Sequence, residues 1–281
     1  MRYNYTNIDL SYKGINDIYA CGDLHGDFDA IRHEIKTKDF KNCFIIICGD
    51  ISMGFNRPGY YNMKFSSMQK DFSERNIYVI MFRGNHDDPA WFELNAPEND
   101  IDYPNIILVR DYSIITFNEN VRALFIGGAR SVDRYYRIWN HWKYWPDEEV
   151  KPLKDETVKL CGEKKVNYVF SHTAPKYLDA ARGKLPQDLI DYYKELGDKD
   201  LEYELKAERE YMADIYDKLS AVTNITKWFC GHFHTHSESE YNGTKFVCLD
   251  MFRENISSER NDLTKPWLRD RKTKADYYKV F

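Results

Sequence analysis

The sequence predicts a layered α/β domain, on two observations. Strand-length runs that are apolar throughout recur along the chain, each ending in Gly, Asp, Asn or His, and a strand apolar on both faces is one covered on both faces. Between the first three runs lie segments with apolar residues at helical spacing, giving successive strand–loop–helix–strand units.

Taken in order, Asp17–Cys21 (DIYAC) precedes GDLHGD, Cys43–Cys48 (CFIIIC) precedes GD, and Ile77–Phe82 (IYVIMF) precedes RGNHD. Phe28–Lys38 places Phe28, Ile31 and Ile35 on one helical face, and Tyr61–Arg75 does the same with Phe65, Met68 and Phe72. Ile106–Val109, Ser113–Phe117 and Val121–Ile126 are three further strand-like runs joined by short turns, which predicts a meander in a second or mixed sheet. A helix is expected over Asp147–Leu160, behind Pro146. Val166–Phe170 (VNYVF) precedes SHTAP, and Lys227–Cys230 (KWFC) precedes GHFH. Leu201–Leu219 reads as a longer helix with Leu201, Leu205, Met212, Ile215, Tyr216 and Leu219 on its apolar face. Lys176–Asp200 reads as a polar, loop-rich insertion near the site, a lid, and a charged C-terminal extension follows from about residue 254.

A chain of 281 residues is read as one large domain, 1–281, with insertions. A net charge of −5 and a pI of about 5.9 offer no basic stripe, so nucleic acid is not the favoured partner. The six cysteines form no C-x-x-C pair and sit mostly in or beside the strand runs, as buried thiols in a reducing cytosol do. The N-terminus has no apolar signal core, and no run approaches the about 18 apolar residues of a membrane span. The expectation is a cytoplasmic protein with no membrane contact; its oligomeric state is left open.

In open α/β sheets ligands bind beyond the carboxyl ends of the strands. Five strand candidates here end in metal-ligand residue types: Asp23 and His25; Asp50; Asn85 and His86; His172; His232 and His234. Carboxylate, imidazole and amide oxygen form a mixed donor set that suits Mn, Fe or Zn and disfavours Cu(I). One carboxylate can bridge two cations, and a pair of metals can clamp both the attacking and the leaving oxygens of a phosphoryl displacement. A closed structural metal site is usually richer in Cys, and none occupies a ligand position here.

Gly22-Asp23-Leu24-His25-Gly26, Gly49-Asp50, Gly84-Asn85-His86-Asp87, His172 and Gly231-His232-Phe233-His234 stand in the order found in the calcineurin-like metallophosphoesterase superfamily. The chain resembles that superfamily over roughly residues 17–250. The resemblance implies a four-layer α/β/β/α sandwich of two mixed sheets flanked by helices. It implies two divalent metal ions, one held by Asp23, His25 and His234, the other by Asn85, His172 and His232, with Asp50 bridging. His86 would then be the general acid towards the leaving group, with attack by a hydroxide between the metals. The implied activity is hydrolysis of a small phosphate ester, a monoester or diester and nucleotides included. A metal-dependent nuclease or a non-catalytic binding protein on the same fold are the alternatives.

Asp50 is followed by Ile51-Ser52-Met53-Gly54, without the Asp-Arg pair of Ser/Thr protein phosphatases. That speaks against protein phosphatase activity and leaves the carboxylate partner of His86 unassigned. A narrower likeness, in Gly127-Gly128-Ala129-Arg130-Ser131-Val132-Asp133 and Tyr144-Trp145-Pro146-Asp147-Glu148-Glu149, is to a bacterial and phage branch. Arg83, Arg130, Arg134 and Arg137 read either as phosphate contacts, by bidentate pairing, or as structural arginines. Trp139, Trp142 and Trp145 read either as a stacking platform or as loop packing. Of the remaining histidines, His33 is expected on a helix surface, while His236, close to the GHFH loop, and His141, in the Trp-rich loop, read either as neighbours of the site or as residues without a functional role.

Overall fold

A computed structural model describes residues 7–178, 187–252 and 278–280. The elements run β1 (Asn7–Asp9), β2 (Asp17–Cys21), α1 (Phe28–Thr37), β3 (Cys43–Ile47), α2 (Pro58–Arg75), β4 (Ile77–Phe82), α3 (Pro89–Asp102) and β5 (Ile106–Val109). They continue with β6 (Ile114–Thr116), β7 (Arg122–Ile126), α4 (Arg134–Trp139), α5 (Asp155–Lys164), β8 (Tyr168–Ser171), α6 (Gln187–Glu195) and α7 (Leu201–Ser220). The last are β9 (Lys227–Cys230), β10 (Ser237–Tyr241), β11 (Thr244–Cys248) and β12 (Tyr278–Lys279). Among the described residues no helix is long and apolar enough to cross a membrane.

Two sheets form. One has the order β12-β2-β3-β4-β5, with β2 to β5 parallel and β12 antiparallel at its edge. The other has the order β1-β6-β7-β8-β9-β11-β10, mixed in direction. The inner strands are largely apolar because each sheet is covered on both faces. On β3, Cys43, Ile45 and Ile47 pack outward against Ile31, Ile35, Phe65, Met68 and Phe72 of α1 and α2. Phe44 and Ile46, on the alternate positions, face the second sheet and meet a layer that holds Ile115, Ala123, Phe125 and Phe170. On the far face of that sheet Leu124, Ile126, Val169 and Trp228 pack with Met212, Ile215, Tyr216 and Leu219 of α7. Three apolar layers between helix, sheet, sheet and helix make the four-layer sandwich.

The middle layer is aromatic. Phe82, Phe125, Phe170 and Phe229 stand in file across it, with ring centroids 5.5, 5.4 and 5.1 Å apart. This file ties β4 of one sheet to β7, β8 and β9 of the other, so the ends of β4, β8 and β9 are held in fixed relation.

Three expectations are corrected. The runs after β4 are not one meander: β5 pairs with β4 in the first sheet, the chain then crosses over, and β6 and β7 form an antiparallel pair in the second. The crossing turns at Tyr112, which takes a left-handed φ of 62°. The helix expected over 147–160 begins only at Asp155, because Pro152 has no N–H and cannot sit inside a helix. The expected loop 176–200 contains α6; residues 179–186, and with them much of the proposed lid, lie outside the described residues. The C-terminal extension likewise lies outside them, apart from the short edge strand β12.

Candidate metal centre

Parallel register brings the carboxyl ends of β2, β3 and β4 to one rim, and those of β8 and β9 to the facing rim of the other sheet. Every candidate ligand lies in the turn just past one of these ends. Four of them, His25, Asp50, His232 and His234, take positive φ values of 48°, 48°, 67° and 48°. Left-handed backbone is costly for a residue with a side chain and concentrates at functional sites, where the surrounding structure holds it in place. Here the buried strands supply that restraint.

The side chains converge as two groups that share Asp50. In the first, the ligand atoms of Asp23, His25, Asp50 and His234 all lie within 4.8 Å of one another. His234 Nε2 is 2.9 Å from Asp23 Oδ2 and 3.1 Å from His25 Nε2, and His25 Nε2 is 3.8 Å from Asp50 Oδ2. In the second, His172 Nε2 is 3.2 Å from Asp50 Oδ1 and 2.8 Å from Asn85 Oδ1, and the ring of His232 lies 4.9 Å from that of His172. Thus one oxygen of Asp50 faces each group. Neighbouring groups aim the ligands. His172 Nδ1 donates to the Cys48 carbonyl at 2.7 Å, turning Nε2 to the site. Asn85 Nδ2 donates to Ser131 Oγ at 2.7 Å, turning the amide oxygen to His172.

Two glycines make room for the carboxylates. A Cβ on Gly84 would lie 2.1 Å from Asp50 Oδ1, and one on Gly231 would lie 2.1 Å from Asp23 Oδ1. Asp87, which ends the GNHD run, is fully buried; its carboxylate accepts the N–H groups of Ile51, Met53 and Gly84 at 3.0, 2.7 and 2.7 Å. It fastens the turn after Asp50 to the turn after β4. Burial, and then the charge of Asp50, push its pKa up to about 7. The motif had marked Asn85 and His86 for function; the bracing role of the next residue was not read from it.

The charges within the site are strongly paired. Burial works against ionised Asp50, but His172 and His86 hold its pKa well below the usual carboxylate range. Burial likewise works against a charged His172, and Asp50 and Asp23 outweigh it, raising its pKa. His25 and His232 are driven the other way by burial and stay neutral. Two anionic, buried carboxylates among imidazoles, with glycines clearing the space, fit a site for divalent cations.

His86 stands at the edge. Its backbone N–H donates to Asp50 Oδ1 at 2.8 Å and its Nε2 lies 4.0 Å from Asp133 Oδ1. Asp133 in turn is 3.1 Å from Arg137 Nε. Among the described residues Asp133 is thus the carboxylate that approaches the His86 ring nitrogen to 4.0 Å, and it comes from the loop before α4 rather than from the turn after Asp50.

The arginines weighed as phosphate contacts are held inside the protein. Arg83, 1% exposed, grips Asp111 and donates to the carbonyls of Glu148 and Glu149 at 2.8 and 2.9 Å. Arg137, 2% exposed, is paired with Glu148 at 2.8 Å and with Ser131 and Asp133. Arg130 lies between Glu149 and Glu204 at 2.7 and 2.9 Å, and Arg134 between Asp198 and Glu204. They brace the loop that carries Asp133. Trp139 and Trp142 point largely to solvent, whereas Trp145 packs edge-on against Phe55. His33, His141 and His236 are exposed.

The family model for calcineurin-like phosphoesterases matches residues 17–236, which span every residue of the site. The chain belongs to this family. As a calcineurin-like phosphoesterase it is a metal-dependent hydrolase of phosphate esters. Its fold is similar to that of a Thermus thermophilus protein, at 13% identity and a TM-score of 0.52 over 84% of this chain and 90% of the other. It is also similar to that of a dimetal phosphatase from Danio rerio, at 10% identity and a TM-score of 0.50 over 84% and 88%. No curated protein sequence matches the chain.

Two outcomes follow. Gly84→Ala pushes a methyl group into Asp50 and His172, so metal content measured by elemental analysis should fall below half of wild type while the fold persists by circular dichroism. Full occupancy in the variant would show that the close approach has no consequence. Second, against burial, Asp50 and Asp23 raise the pKa of His172, and Asp23 raises that of His234; only neutral imidazole can bind a metal, so loading expels a proton. Because the folded-state pKa is raised, the proton is present through neutral pH, and affinity for Mn²⁺ should climb as pH rises from 6 to 8. Calorimetric titration in two buffers of different ionisation enthalpy should register net proton release at pH 7; none released would contradict the His172–Asp50 pairing.

Proposed function

We propose that this phosphoesterase uses two divalent cations, Mn, Fe or Zn, to hydrolyse a small phosphorylated substrate. Asp23, His25 and His234 would hold the first ion, and Asn85, His172 and His232 the second, with Asp50 between them. The observation that carries this reading is the division of Asp50, whose two oxygens face two separate groups of donors at 3.8 and 3.2 Å. Bound cations supply the Lewis acidity that offsets charge on phosphoryl oxygens and lowers the pKa of water.

The chain's own groups do the rest. Asp50 and Asp23, kept anionic, supply the charge that retains two cations in a buried site. His86, partly exposed at the rim, donates a proton to the leaving oxygen, with Asp133 Oδ1 4.0 Å from its Nε2. A small mono- or diester suits the site better than a nucleic acid. The arginines of the neighbouring loop are paired with acids, which makes that loop a poor track for a phosphate backbone. All six cysteines are unpaired and buried, as suits a reducing cytoplasm.

Hydrolysis of bis(p-nitrophenyl) phosphate with Mn²⁺ tests this, on wild type, Asp50→Asn and His86→Ala. Asp50→Asn should lose at least about 100-fold in turnover, together with bound metal. His86→Ala should lose about 10²–10⁴-fold on a diester with an alkyl leaving group, and far less on p-nitrophenolate, which needs little protonation to depart. Near-normal turnover in Asp50→Asn would overturn the bridged-site reading, and equal losses on the two substrates would remove His86 from the acid role.

A further inference from the structure

The turn between β3 and α2 is fastened at almost every position. Asp87 takes the N–H groups of Ile51 and Met53. Tyr61 Oη donates to the Ser52 carbonyl at 2.6 Å and accepts from Asn56 N at 3.0 Å. Asp88 N donates to the Met53 carbonyl and Lys143 Nζ to the Gly54 carbonyl, both at 2.9 Å. Gly54 takes a φ of +87° where a Cβ would meet Asp88 at 2.4 Å and Trp145 at 3.0 Å, so the backbone lies directly on the tryptophan. What this rigid turn presents is the ring of Phe55, half-buried rather than buried.

That ring completes a file leading out of the metal site. His234 and His25 are 5.1 Å apart by centroids, and His25 and His86 are 5.7 Å apart. His86 and Phe55 lie 6.5 Å apart with planes only 19° from parallel, and Phe55 meets Trp145 edge-on at 5.0 Å. Beyond His86, on the side where a leaving group departs, the surface is therefore aromatic. Lys143 is spent on the Gly54 carbonyl, and Arg137 on Glu148 and Asp133, so charge is a poor basis for recognition on this side.

We propose that Phe55 and Trp145 form the leaving-group subsite, and that it takes a planar aromatic ring carried on the phosphate, a nucleobase being the ring chemistry it fits. The proposal rests on the reading of His86 as the group facing the leaving oxygen. A preset aromatic face binds planar rings by stacking and is tolerant of their hydrogen-bonding edges.

Binding of phosphonates to the Mn²⁺-loaded full chain tests this without turnover, because their P–C bond is not hydrolysed. The probes are benzylphosphonate, cyclohexylmethylphosphonate and an acyclic adenine phosphonate, followed by equilibrium dialysis. Benzyl and adenine probes should bind on the order of tenfold more tightly than the cyclohexyl one, which has similar bulk but no flat ring. Phe55→Leu should erase that preference, and Phe55→Tyr, which keeps the ring, should retain it. Equal affinity for benzyl and cyclohexylmethyl probes in wild type, or a preference that survives Phe55→Leu, would overturn the subsite. A preference confined to the benzyl probe would overturn the nucleobase assignment. Failure of wild type to bind any phosphonate would sink the parent reading of a phosphate site and the subsite with it, whereas binding without ring preference sinks the subsite alone.

Discussion

The structure depends on where one carboxylate is held. Asp50 lies at the end of β3, the central strand of its sheet, in a left-handed conformation, with one oxygen towards each group of imidazoles. An aspartate so buried beside Asp23 would repel it and shed its charge without compensation. His172 and His86 provide that compensation, and bound cations would provide more of it. The neighbouring elements keep Asp50 from moving: Gly84 leaves it space, His86 N–H binds it, and Asp87 ties its turn to the next one.

The two sheets make this possible because each contributes part of the candidate ligand set. β2, β3 and β4 bring Asp23, His25, Asp50 and Asn85; β8 and β9 bring His172, His232 and His234. The sheets cannot slide, since the phenylalanine file between them is interlocked from Phe82 to Phe229. Tightly packed interiors resist such displacement, so the energy that keeps strained ligand turns in register comes from apolar burial far from the chemistry. The arginine-rich loop plays a similar part at the rim. Arg83, Arg130, Arg134 and Arg137 are spent on acids and carbonyls, which fixes Asp133 near His86.

Strands β2, β4, β5 and β9 were legible to the residue, because double-sided burial leaves an unbroken apolar run with polar residues at once beyond it. The candidate ligand residues stood out for the same reason, as polar types abruptly ending such runs. Other features depended on signals that the pattern of hydrophobicity does not carry. The β10–β11 hairpin has a polar first strand, Ser237–Tyr241, and its clear mark is the Asn242-Gly243 pair at its turn, both with positive φ. Pro152 marks the true start of α5, whereas the sequence reading started the helix behind Pro146. The arginines could not be sorted from sequence, since pairing with Asp111, Glu148, Asp198 or Glu204 joins residues as much as 74 positions apart. Phe55 carried no mark at all, because its placement follows from bonds made by its neighbours' backbone.

The central claim is that two ions share Asp50. Anomalous scattering from crystals grown with Mn²⁺ measures this most directly. Two anomalous peaks are expected, one enclosed by Asp23, His25 and His234, the other by Asn85, His172 and His232, with Asp50 touching both. A single peak bounded by four protein ligands, or ions that leave Asp50 uncontacted, would contradict the account.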